Sequence, residues 1–290
     1  MQAPSGWRAS RPTLYYCRGE SQKSNRRAAI RWRPRLGLRR IGSDCVVLRG
    51  RAGAVLGPRP AGAGAAGVRT TMIDDSHPLL LGSGSPRRRE ILTTLGLPLR
   101  VAAAEVDEAG RAGEDAAAYL ERVTLAKLAA ARRLRQAAGA GAILVADTSV
   151  LLGDSILGKP RDEVDARAML RALSGREHQV WTRFAIAGGD RADVAAASAP
   201  GLAEALHAET VVTRVRFREL DDGEVASYAA TGEGLDKAGA YAIQGIGAFA
   251  VARIDGSYSN VVGLPACEVV AALRATGLLA RFPLSLARSS

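Results

Sequence analysis

Three short stretches of this 290-residue chain gather residues suited to an anion. The first is "LLLGSGSPRRREIL" (79–92). Ser85 is a favoured helix N-cap and Pro86 a favoured first helical residue. Arg87, Arg88 and Arg89 then fall in the first turn. Helix dipoles already make that end positive, and Arg88 stands where a capping-box Glu would sit. Free N–H groups, the hydroxyls of Ser83 and Ser85, and Arg87 and Arg88 together make an anion site. A phosphate there would reverse the sign of the local electrostatics. The competing reading leaves the arginines in solvent, with only their stems packed.

The second stretch is "VADTSVLLGDSILGKPRD" (145–162), in which Asp147 closes an apolar run and Lys159 follows a hairpin-like turn. An Asp at a strand end can hold Mg²⁺ or take a proton from water. It can equally cap the next turn. The third is "TGEGLDKAGAYAIQG" (231–245), with Glu233, Asp236, Lys237 and Gln244 among four glycines. Such glycine density suits close approach of backbone to a ligand. It also suits an ordinary loop, with Glu233 and Lys237 paired to each other. Glu108 in "VDE" and Lys127 add a further acid and base; taken singly, each reads as a solvated surface charge.

Other chemistries lack their residues. Only three histidines occur (His77, His178, His207), and no Cys/His pair, G-x-S-x-G elbow or G-x-x-x-x-G-K-[ST] loop is found. Nucleophilic hydrolysis and P-loop chemistry are poorly supported.

The elements that must position these residues alternate between strand and helix. Leu79–Gly82 reads as a buried strand and Pro86–Leu95 as a helix. Residues 115–138 form a long helix by apolar spacing, and 142–147 a second buried strand ending at Asp147. Helices are expected at 162–175 and 221–232, and strands at 178–189 and 209–220. Residues 240–245 and 247–257 read as a strand pair, and a helix closes the chain. Residues 191–209 read as an Ala-rich insertion without chemistry. The class is α/β.

Charge divides the chain. Residues 1–71 hold 14 Arg and one Lys against two acids, a net +13, while the remainder is near neutral at −2. This Arg/Gly/Ala-rich segment lacks periodicity and reads as a disordered extension. It fits a start upstream of a true beginning at Met72, or a targeting segment, or a nucleic-acid-binding tail. Residues 72–290 then form the folded domain. With 4% aromatic residues, platforms for stacking nucleic-acid bases are few, and nucleic acid is an unlikely partner. No apolar run approaches a membrane span, no secretory signal is visible, and three scattered cysteines suit a reducing compartment. A cytoplasmic protein is expected.

Taken in order, "SGSPRRREIL", "ADTSV", "ILGKPRD", "RALSGREHQVWT", "YAATGEGLDKAGAYAIQG" and "IDGSYSNVVGLP" closely resemble the Maf family of septum-formation-inhibitor-like nucleoside triphosphate pyrophosphatases. The resemblance covers about residues 78–275 and leaves out residues 1–71. It implies an ITPase-like elongated mixed sheet flanked by helices, with a cleft between two lobes. It further implies hydrolysis of a nucleoside triphosphate to the monophosphate and pyrophosphate, a divalent metal (Mg²⁺ or Mn²⁺), and often a homodimer.

Carried onto this sequence, the resemblance makes Asp147 the proton acceptor and places Ser83, Arg87, Arg88, Glu108, Lys127, Lys159 and Lys237 on substrate. Asp147 and Glu108 become the metal ligands. Glu233 falls in the matched segment with no settled role. Arg87, Thr148 and Gln244 agree with the branch that acts on dTTP and UTP, and a Gln amide offers a pyrimidine edge both a donor and an acceptor. The alternatives are a branch acting on 7-methyl-GTP or modified nucleotides, and a non-catalytic nucleotide-binding regulator of cell division.

Overall fold

The computed structural model describes residues 71–189 and 205–283. The expectations for the basic extension and for most of 191–209 lie outside them. Element order is β1 (Leu79–Leu81), α1 (Pro86–Thr94), β2 (Leu99–Val101), α2 (Ala116–Arg133), β3 (Ala142–Leu152), β4 (Ser155–Leu157), α3 (Glu163–Leu173), β5 (Glu177–Gly188), β6 (His207–Phe217), α4 (Asp222–Ala230), β7 (Val251–Asp255), α5 (Tyr258–Val262) and α6 (Ala266–Ala275). The seven strands form one mixed sheet in the order β2-β1-β3-β5-β6-β7, with β4 also on β3.

β1 is buried along its length because helices cover both its faces. Leu79 and Leu81 pack with Leu144, Phe184 and Ile186 under α6 residues Val269 and Leu273. Leu80 packs on the other face with Ile143, Val145 and Leu128 of α2. A third cluster gathers Val150, Val180, Val215 and Phe217 with Leu170 of α3 and Val225 of α4. The long strands β3, β5 and β6 are what join these regions. Helix starts follow local chemistry: Asp115, Asp162 and Asp221 each accept an N–H from the first turn, and Asp221 with Glu224 completes a capping box.

Two expectations need correction. Asp147 does not end its strand; it sits in the middle of eleven-residue β3, opposite Arg183 of β5. The apolar run stops at Ala146, yet pairing with β5 carries the strand on to Leu152. Residues 240–245 and 247–257 do not form a strand pair. Ala238–Ala240 and Ile246–Ala250 are 3₁₀ turns, and only Val251–Asp255 is a strand, paired with β6. Glycines and side-chain hydrogen bonds, rather than a sheet ladder, hold that segment.

The sheet is interrupted where the motifs converge. β5 pairs with β3 from Ala142 to Leu151. β1 and β4 must therefore share the opposite edge of β3, where β1 reaches only Leu144 and β4 begins at Val150. Between them, among the described residues, the edge of β3 at 145–149 has no strand neighbour. Such a gap leaves polar backbone groups to be satisfied by other means.

Candidate active site

A cavity of about 870 Å³ opens at this gap. Its walls include Ser83, Arg87, Arg88, Glu108, Lys127, Asp147, Thr148, Lys159, Lys237 and Gln244. These ten candidates thus border one space, although they come from six separate segments; Glu233, also a candidate, does not line it.

Asp147 and Thr148 reach it from opposite faces of β3, because successive strand side chains alternate. Asp147 faces α2. Its Oδ1 accepts a hydrogen bond from Lys127 Nζ at 2.6 Å, and the same ammonium lies 2.8 Å from Glu108 Oε1. Lys127 and Asp147 are buried, while Glu108 is half exposed in the loop before α2. That loop is strapped to the helix: Tyr119 donates its hydroxyl to the Glu108 carbonyl, and Arg122 grips Glu114 and the Ala109 carbonyl. Burial, with the charges of Asp147 and Glu108, pushes the Tyr119 phenol up to about 12. The Arg122 guanidinium holds the Glu114 carboxyl down at about 2.

Thr148 faces the other way, toward Arg88. The Arg88 guanidinium donates from Nε to the Gly263 carbonyl (2.8 Å), from Nη1 to Ser83 Oγ (3.0 Å) and the Ala146 carbonyl (2.8 Å), and from Nη2 to Thr148 Oγ1 (3.1 Å). Four of the five N–H donors of an arginine are thereby used within the protein. Arg88 fills the missing strand position beside Ala146 and ties α1, β3 and α5 together. Burial lowers its pKa without endangering its charge. The three arginines therefore have separate fates: Arg88 is buried, Arg89 is exposed, and Arg87 leans toward the cavity, 3.9 Å from Asp236.

Asp236 lies between Arg87 and Lys237. The Lys237 ammonium donates to Asp236 Oδ1 and to the Glu233 carbonyl. Lys159 lines the cavity from the loop after β4, where Gly158 accepts an N–H from Gly239. At the N-terminus of α1 Ser85 makes no side-chain cap, so the first-turn N–H groups beside Arg87 are not occupied by it. Sequence reasoning did not single out Tyr119, Tyr241 or Gly263, which also line the cavity. Only spatial proximity identifies them, since Tyr119 reads as one more residue of an apolar-periodic helix.

Among the described residues no three His, Cys, Asp or Glu side chains gather into a metal-binding group. The donor set on offer is the pair Asp147 and Glu108, brought to one ammonium by Lys127. Mg²⁺ is ordinarily held by one or two carboxylates with substrate phosphates completing the octahedron, and this pair fits that pattern.

Fold and cavity define an α/β protein whose interrupted sheet edge collects five cationic side chains around a buried carboxylate. Comparison with known proteins is more specific. The model of the Maf-like protein family matches residues 78–276, and the chain belongs to that family. It is 48% identical over 206 residues to a dTTP/UTP pyrophosphatase of Myxococcus xanthus (strain DK1622), covering 70% of this chain and 95% of that protein. A dTTP/UTP pyrophosphatase of Hahella chejuensis (strain KCTC 2396) is 44% identical over 200 residues, 69% of this chain and 92% of that protein. A third, from Anaeromyxobacter sp. (strain Fw109-5), is 46% identical over 200 residues, 69% of this chain and 89% of that protein. The family and the α/β class expected from the motifs are borne out.

Proposed function

We propose that this chain is a nucleoside triphosphate pyrophosphatase that converts dTTP and UTP to the monophosphate and pyrophosphate. One observation carries the reading: a buried Asp147 on Lys127 borders the same cavity as Arg87, Lys159, Lys237 and the uncapped start of α1. Relatives sharing 44–48% of their residues with it bear that activity in their names.

In this account the triphosphate lies along the gap in β3. The N–H groups of α1, Ser83 and Arg87 bind its phosphates, and Arg87 exchanges Asp236 for them. Arg88 acts through others, holding Ser83 and Thr148 in place. Asp147 accepts a proton from water as the water oxygen bonds to the α-phosphorus. The bond from that phosphorus to the α,β-bridging oxygen breaks, and pyrophosphate leaves with the electron pair. Charge grows on the non-bridging and leaving oxygens, and Lys159 and Lys237 are placed to offset it. Lys127 keeps Asp147 and Glu108 together; these two carboxylates would hold a divalent cation, which would supply positive charge against that of the phosphates. Gln244, at the cavity rim, supplies the base contact. The setting proposed is the cytoplasm.

Hydrolysis in ¹⁸O-labelled water tests the bond cleaved. The label is expected in the monophosphate. Label in the pyrophosphate, or release of single phosphate, would contradict attack at the α-phosphorus. Binding without turnover would favour a regulatory role.

A further inference from the structure

Gln244 is exposed in a segment that no sheet ladder holds. Its position depends on two side chains that do not line the cavity. Glu233 Oε1 accepts the Ile246 N–H at 2.9 Å, and Oε2 accepts the Gly247 N–H at 2.9 Å. Oε2 also accepts the Tyr228 hydroxyl at 2.8 Å, and that hydroxyl oxygen accepts the Ala242 N–H at 3.1 Å. One carboxylate and one phenol therefore pin the backbone on both sides of Gln244. The fit is close. A Cβ on Gly245 would lie 1.9 Å from Glu233 Oε1, and one on Gly247 would lie 2.5 Å from the Tyr228 hydroxyl. Burial alone would raise the Glu233 pKa, but the N–H donors of Gly247 and Ile246, the Tyr228 hydroxyl and the charge of Lys237 together lower it. Tyr228 is itself fixed, buried in α4 with its ring edge-on to Phe249.

We propose that Glu233 and Tyr228 are positioning residues for base selection: they set the place of Gln244 and thereby which nucleobase the cavity accepts, without touching substrate. This rests on the pyrimidine reading above. A site built to hydrogen-bond a base edge discriminates only while its polar group is held in register. Loosening the bracket should therefore reduce selectivity more than phosphate binding, which depends on α1, Lys159 and Lys237. The link from Lys237 to position 233 runs through the backbone carbonyl and survives a side-chain change.

The test compares kcat/KM for dTTP, UTP, dATP and GTP in the wild type, Glu233→Gln, Tyr228→Phe and Gln244→Ala. The inhibition constant of inorganic tripolyphosphate is measured alongside as a base-free probe of the phosphate limb. Glu233→Gln is expected to cut the pyrimidine-over-purine ratio about tenfold, and Tyr228→Phe about threefold, with the tripolyphosphate constant within about twofold of wild type. An unchanged ratio in both variants overturns the proposal. So does a parallel loss of tripolyphosphate binding, which marks a merely structural role. A wild type without pyrimidine preference overturns the pyrimidine reading instead, and with it this proposal. Should Glu233→Gln not fold, Tyr228→Phe decides alone.

Discussion

The residue that best shows how chemistry and position meet is Asp147. Its type and its place after an apolar run were legible in the sequence. Its partner was not: Lys127 comes from a different element, and only packing of α2 on β3 brings the two within 2.6 Å. Arg88 is the reverse case. Its sequence neighbourhood suggested a phosphate ligand, and it does border the cavity; what the sequence did not show is that it is also a buried tie, because a broken sheet edge at Ala146 needed a donor. His178 belongs to the scaffold. It lies 2.9 Å from the Tyr241 hydroxyl, edge-on to Phe217, and burial pushes its pKa from 6.5 down to about 4. Above pH 6.5 the ring is neutral folded or unfolded. As pH falls toward 4, the unfolded chain takes up a proton that the folded one refuses, so stability drops. Over that window urea unfolding should show the wild type losing roughly 3 kcal/mol more than His178→Gln. Equal losses in the two proteins would refute the assignment.

At the scale of elements, helices with marked ends were legible to within a few residues. α3 and α4 begin where an Asp supplies the cap, and α1 begins at Ser-Pro as its chemistry predicts. Strands were less so. β2 and β4 have three residues each, too few to show alternation, and β3 continues past the point where its apolar run ends. The segment 241–250 carried strand-like residues, yet glycine turns held by Glu233 and Tyr228 prevailed. The passage from β1 to α1 depends on one glycine. A Cβ on Gly82 would lie 2.8 Å from both Ala131 Cβ and Val145 Cγ1. Gly82→Ala must therefore push the strand end away from α2 and β3. Overpacking of this kind costs about 1–3 kcal/mol. Denaturant unfolding should show that loss, accompanied by weaker triphosphate binding as Ser83 moves. Stability equal to wild type would mean that the contact relaxes freely.

At the scale of the molecule, the gap between β1 and β4 along one edge of β3 makes the cavity. No single motif announces it. It follows from β5 running the length of β3 while the strands opposite fall short. The basic charge that dominates the composition belongs to residues 1–71, and the proposed chemistry needs none of it. Among the described residues no helix is long and apolar enough to cross a membrane. The central claim is met most directly by pyrophosphate release. Protein beginning at Met72 would be assayed on a panel of nucleoside triphosphates with Mg²⁺ or Mn²⁺, beside its Asp147→Asn variant. Release is expected to be fastest from dTTP and UTP and at least about 10²-fold slower in the variant, as for loss of a general base. Near-normal release by Asp147→Asn, or no release from any nucleotide by the unaltered protein, would contradict it.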